Sequence, residues 1–163
     1  MTNTPEPEQS IQNVGPEPRA VLVAVDASAG AALVVSTAAR LCRSLPEAAV
    51  HVVHVFRTSL FSRTGGPVQS NADLVEDSKE HLAFHVRNAR HQCRNPVTGH
   101  FVLGDPTAEL LRMATDLEID LLVVGTHYPQ GLERLLLGSI AETLMRKAPC
   151  SVLVVRLTAR ATG

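Results

Sequence analysis

Five short apolar runs, separated by stretches of helical periodicity, constrain this chain more than any other feature of its sequence. The runs are Ala20-Val-Leu-Val-Ala-Val25, Val50 to Phe56, Val97 to Leu103, Leu121-Leu-Val-Val124 and Ser151 to Val155. A strand with one wet face alternates apolar and polar side chains. These runs are β-branched and scarcely alternate, which predicts strands buried on both faces, as in a parallel sheet. Between them, apolar residues recur at helical spacing: Leu33, Val34, Ala38, Leu41 and Leu45 over 31–45, then Leu74, Ser78, Leu82, Val86, Ala89 and Cys93 from about Asn71. Asp105-Pro106 supplies an N-cap and a first-turn proline for a third helix, whose buried face is Leu110, Leu111, Ala114 and Leu117. Ser139 opens a fourth, with Ile140, Leu144 and Ala148 inward. Strand alternating with helix four times over means βαβ units, hence an α/β fold with an open, doubly wound, mostly parallel sheet.

Composition narrows the partners. Aromatics are 3% of the residues, with no Trp, so the core is aliphatic and the stacking platforms used for single-stranded nucleic acid are missing. The net charge of −1 provides no basic face for counterion release, so no nucleic-acid partner is expected. No apolar run approaches the ~20 residues that cross a bilayer, so no membrane partner is expected either. Residues 1–18 are polar and rich in Pro and Glu, which predicts a disordered leader and not a secretory signal. A domain over 19–157 and a loose tail over 158–163 complete the expected organisation. Three widely spaced cysteines (Cys42, Cys93, Cys150) suit a reducing cytoplasm, where a free cysteine is usually a small buried hydrophobe.

The chemistry concentrates in Val123 to Glu142. A buried strand ends at Gly125, a loop follows, and Gly138-Ser139 begins a helix, whose unpaired N–H groups and dipole make an anion site. Ser139 and Glu142 also have the S-x-x-E spacing of a capping box, which needs no ligand. Asp26, after the first strand, is open to two readings as well: a turn or cap residue, or a ligand contact. His81 and His85 have chelate spacing on the long helix but no carboxylate or thiolate partner, so a solvated helix face is the expectation and no metal is assigned. His51 and His54 lie three apart on a strand and point to opposite faces. The chain lacks a G-x-S-x-G elbow, a P-loop and paired carboxylates, so no catalytic residue is assigned. Hydrolysis would rest on Asp26 or His127 positioning water.

In order along the chain stand Asp26 with Ser28, Gly104-Asp-Pro106, Asp120-Leu-Leu-Val-Val-Gly-Thr-His127, Gly131-Leu-Glu-Arg-Leu-Leu-Leu-Gly-Ser-Ile140 and Ala148-Pro-Cys150. This series resembles the universal stress protein family over about 19–157. The resemblance implies an adenine-nucleotide alpha-hydrolase-like fold, a five-stranded sheet of order 3-2-1-4-5, and a ligand crevice where the first and fourth strands diverge. It further implies ATP or another adenine nucleotide as cofactor, with Asp26 near the nucleoside and Val55 beside the base. Gly125, His127, Gly138, Ser139 and Ile140 match the loop and helix start that hold ribose and phosphates. It also implies a homodimer joined along the edge strand 151–155.

The family's nucleotide binders share G-x-x-G, nine residues, then G-[S/T]. Here Tyr128 replaces the second glycine and Pro129 follows it. A residue before proline is held extended, and Pro129 offers no N–H to a phosphate. Arg134 is the nearest cation in that loop. The pattern predicts a weakened phosphate site and a retained nucleoside end, in a stress-response binding and signalling module. The alternatives are a ligand-free dimeric interaction protein, its site closed by Tyr128-Pro129, and a slow nucleotide hydrolase. Arg57 to Ser70, with Gly65-Gly66 as hinges, is read either as a lid over the crevice or as a plain loop.

Overall fold

A computed structural model describes residues 17–57, 71–127 and 138–157. They form β1 (Ala20–Val25), α1 (Ala31–Cys42), β2 (Ala49–Phe56), α2 (Asn71–Gln92), β3 (Val97–Leu103), α3 (Pro106–Asp116), β4 (Leu121–His127), α4 (Ser139–Lys147) and β5 (Ser151–Leu157). The strands make one sheet of order β3-β2-β1-β4-β5, and every neighbouring pair is parallel. This is the expected doubly wound α/β sheet. The expectations for the leader through residue 16, for 58–70, for Tyr128 to Leu137 and for the tail from 158 concern residues outside those described.

Each face of the sheet has its own aliphatic core. Val21, Val23, Val50, Val52 and Val123 face α1 and α2, meeting Val34, Val35, Ala38, Leu82 and Val86. Leu22, Val53, Leu122 and Val124 face α3 and α4, meeting Leu110, Met113, Ala141 and Leu144. Burying a Val or Leu side chain fully is worth about 1.5–3 kcal/mol, so each such position on these central strands contributes a term of that size. The runs alternate by face and not by polarity, which is why they show no hydrophobic-polar rhythm.

The packing corrects several expectations. In α1 the buried positions are Ala31, Val34, Val35, Ala38, Ala39 and Cys42, while Leu33 and Leu41 stand 44% and 37% exposed. Small residues let this helix sit close to the sheet: a Cβ on Gly125 would meet Val34 Cγ2 at 2.9 Å. The helix also stops at Cys42, where a tight turn bonds Leu45 N–H to Cys42 O at 3.0 Å. On α2, Leu74 is exposed, and His85 is buried, not solvated. β3 is not covered on both faces, since Thr98 and Gly99 are exposed, as its place at the sheet edge allows. Among the described residues no helix is long and apolar enough to cross a membrane.

Candidate functional site

β1 and β4 are registered only from Val21–Leu121 to Val23–Val123. β1 stays with β2 as far as Val25–His54, and β4 stays with β5 as far as His127–Leu157. Beyond Val23 the two central strands therefore part, each held by its outer neighbour. A cavity of about 530 Å3 occupies the gap at their carboxyl ends. That is the size of a small-molecule site and the place where open α/β sheets bind ligands.

Six of the seven residues expected at the site border this one cavity: Asp26, Val55, Gly125, Gly138, Ser139 and Ile140. His127 closes β4, and its side chain is outside the described residues. Asp26 follows β1 and turns the chain: its Oδ1 accepts from Ser28 N–H at 3.0 Å and from Ser28 Oγ at 2.6 Å. This carboxylate therefore forms the turn, as one of its two readings expects, and it also borders the cavity.

At the start of α4 the capping box is not formed. Gly138 is the N-cap, Ser139 lies inside the helix, and no side chain caps this end. Glu142 instead accepts from Arg146 at 3.1 Å, one turn on. Gly138 N–H donates to Thr126 Oγ1 at 3.2 Å, and the first intrahelical bond runs from Glu142 N–H to Gly138 O at 2.9 Å. The N–H groups of Ser139, Ile140 and Ala141 have no carbonyl a turn behind them within the helix and point out of its positive end. An anion seated there would meet those donors.

The two glycines of the motif differ. Gly125 is required by packing, because a Cβ there would lie 2.9 Å from Val34 Cγ2 and 3.0 Å from Leu157 Cδ1. At Gly138 the backbone angles, φ −54° and ψ 141°, suit any residue, and an added Cβ would meet Thr126 Oγ1 at 3.5 Å, an ordinary contact. Among the described residues nothing explains that missing side chain.

Sequence reasoning missed His54, Arg57, Thr126 and the α3 residues Pro106 and Leu110, all of which border the cavity. His54 is 7% exposed, and its Nδ1 lies 3.0 Å from Val25 O. Burial pushes its pKa below the usual histidine value, opposed by the bond to Val25 and the Asp26 charge, while His81 adds to the lowering. A histidine inside an otherwise apolar strand was the available signal, since a buried ring nitrogen needs a partner. Arg57 directly follows β2 and reaches the cavity from the tip of that strand. Among the described residues no group of three or more His, Cys, Asp or Glu side chains could hold a metal ion.

Residues 18–156 match the model of the Universal stress protein family. The chain belongs to that family. It is 32% identical over 115 residues to universal stress protein MJ0531 of Methanocaldococcus jannaschii, a match covering 68% of this chain and 66% of that one, just under two thirds. It is 32% identical over 139 residues to universal stress protein A homolog 1 of Coxiella burnetii, covering 83% and 94% of the two chains. The solved universal stress protein of Archaeoglobus fulgidus in complex with dAMP superposes with a TM-score of 0.60 at 26% identity, covering 83% and 96%. This universal stress protein thus has the family's sheet order, with the crevice at the family's switch point.

Proposed function

We propose that this protein is a stress-response binding and signalling module whose crevice takes an adenine nucleotide. Asp26 and Val55 meet the nucleoside, and the first turn of α4 meets the α-phosphate. Gly138 carries the reading. Neither its backbone angles nor the described neighbours call for glycine, whereas a phosphate approaching the backbone does. The relative solved with dAMP supports the ligand class. With Tyr128-Pro129 in place of the second glycine, a monophosphate suits the site better than ATP.

Calorimetry with AMP, ADP and ATP tests this on the wild type and on Tyr128→Gly. The reading requires saturable AMP binding by the wild type and a gain in ATP affinity in the variant. Binding by the variant alone would favour the ligand-free interaction protein, and binding by neither would end the nucleotide reading.

The proposal extends to a cytoplasmic homodimer joined along β5. This strand ends the sheet, and an apolar edge strand is a template for pairing. Sedimentation across a range of concentrations checks it, and a monomer throughout would contradict it.

A further inference from the structure

We propose that His54 is a specificity-determining residue of the crevice, its Nε2 accepting a hydrogen bond from an O–H or N–H of the bound nucleoside. The inference rests on the nucleotide reading above. A carbonyl oxygen only accepts, so the 3.0 Å contact between Nδ1 and Val25 O puts the proton of the neutral ring on Nδ1. Nε2 is then a lone-pair acceptor. It bonds none of the described residues, yet it is not a sealed and orphaned nitrogen: among the described residues that condition belongs to His85 Nδ1 alone. His54 itself borders the cavity. The ring has little freedom, being tied to β1 through Val25 and stacked on Phe101 with centroids 5.9 Å apart.

The neighbours determine which ligand atoms this acceptor suits. Nε2 is an acceptor at the nucleoside end of the cavity that Asp26 also borders, so it suits hydroxyl or amino hydrogens. Charged and titratable groups reach His54 from several elements. Asp26 after β1 favours its protonated form, and His81 on α2 opposes it. His85 on α2 is influenced by His54 in turn. Lys79 lies over the Phe101 ring at 5.9 Å, and Arg57 borders the cavity just past β2. On β3, His100 pairs instead with His51 at 3.0 Å. Burial keeps His54 neutral at neutral pH. Acidification through its lowered pKa places a proton on Nε2 and turns the acceptor into a donor.

Adenosine is the probe, because it carries no group that titrates between about pH 8 and about pH 5. In the His54→Asn variant the shorter amide N–H can keep the bond to Val25 O, while nothing replaces Nε2. The wild type should bind adenosine about fivefold more weakly once the pH has fallen below the lowered His54 pKa than it does at about pH 8. His54→Asn should lose about as much affinity at the higher pH and show a flatter profile. The analogues 2′-deoxyadenosine, 3′-deoxyadenosine and purine riboside each lack one donor. The one that wild type and variant bind equally names the hydrogen that Nε2 accepts. Independently of any variant, the side-chain 15N spectrum of His54 should show the Nδ1–H form, with Nε2 shifting on adenosine addition. A wild type that binds adenosine with a pH profile matching that of His54→Asn, an unmoved Nε2 signal, or all three analogues still discriminating between the two proteins would overturn this inference and leave the nucleotide reading standing. Failure of the wild type to bind adenosine or AMP at any pH would overturn both.

Discussion

The two ends of the central strand pair are built on opposite principles. At the amino ends, the Asp120 carboxylate accepts from Arg19 N–H at 2.7 Å and Ala20 N–H at 3.0 Å, while Asp120 N–H donates to Ala20 O at 2.9 Å. That residue stitches β4 to β1. At the carboxyl ends the strands part after Val23, and Asp26 spends its Oδ1 on its own turn and borders a cavity. Two aspartates flank the same strand, one closing the sheet and one beside its opening. On the proposed reading the difference assigns stability and binding to opposite ends of the strands, so substitutions at the two ends should separate in their effects.

The largest stability effect should come where the two principles meet. Gly125→Val at the mouth of the crevice pushes side-chain atoms into Val34 and Leu157. Overpacking of this kind costs about 1–3 kcal/mol, read as a lowered urea midpoint. An unchanged midpoint would mean that α1 has room to move and that Gly125 serves the ligand alone.

Next in size is the contrast between the aspartates. Asp120→Ala removes two charge-assisted bonds and should cost about 1–2 kcal/mol of stability with AMP affinity unchanged. Asp26→Ala should weaken AMP about tenfold, and its stability cost, from bonds within its own turn, should be smaller than that of Asp120→Ala. Equal stability losses from the two would erase the distinction.

The smallest effect is a pH dependence shared by both faces. His51, His54, His85 and His100 all have pKa values pushed down, with burial the leading cause of each. Their unfolded forms take up protons first, so stability is complete above about pH 6.5 and is lost as the pH falls towards the folded values. A urea midpoint lower by the equivalent of about 1 kcal/mol near pH 5 is expected. A midpoint that rises on acidification would contradict this assignment.

Most of the fold was legible because strands covered on both faces leave uninterrupted β-branched runs, and only a parallel sheet with helices on each side covers them so. The identity of α1's buried face was not. Leu33 and Leu41 fit the helical period as well as Val34 and Ala38 do, and the close approach over Gly125 favours the smaller side chains. At the site, the glycines, Asp26 and Ser139 were visible through their order along the chain. His54 and Arg57 were not, because what matters about each is where β2 ends relative to the splayed tip of β1, a fact of strand register. The capping box failed for a similar local reason: α4 begins at Ser139 itself, one residue earlier than a Ser139 cap would need, and the cap position falls to Gly138.

The central claim is that the backbone at Gly138 is bare so that a phosphate can reach it, and Gly138→Ser tests this most directly. Serine is a favourable N-cap, and among the described residues its Cβ would meet only an ordinary contact at 3.5 Å, so the fold should keep or slightly raise its unfolding midpoint. Calorimetric titration with AMP should then show affinity at least about tenfold below that of the wild type, as the added side chain occupies the phosphate approach. Equal AMP affinity in the two proteins, with the fold intact, would contradict the account.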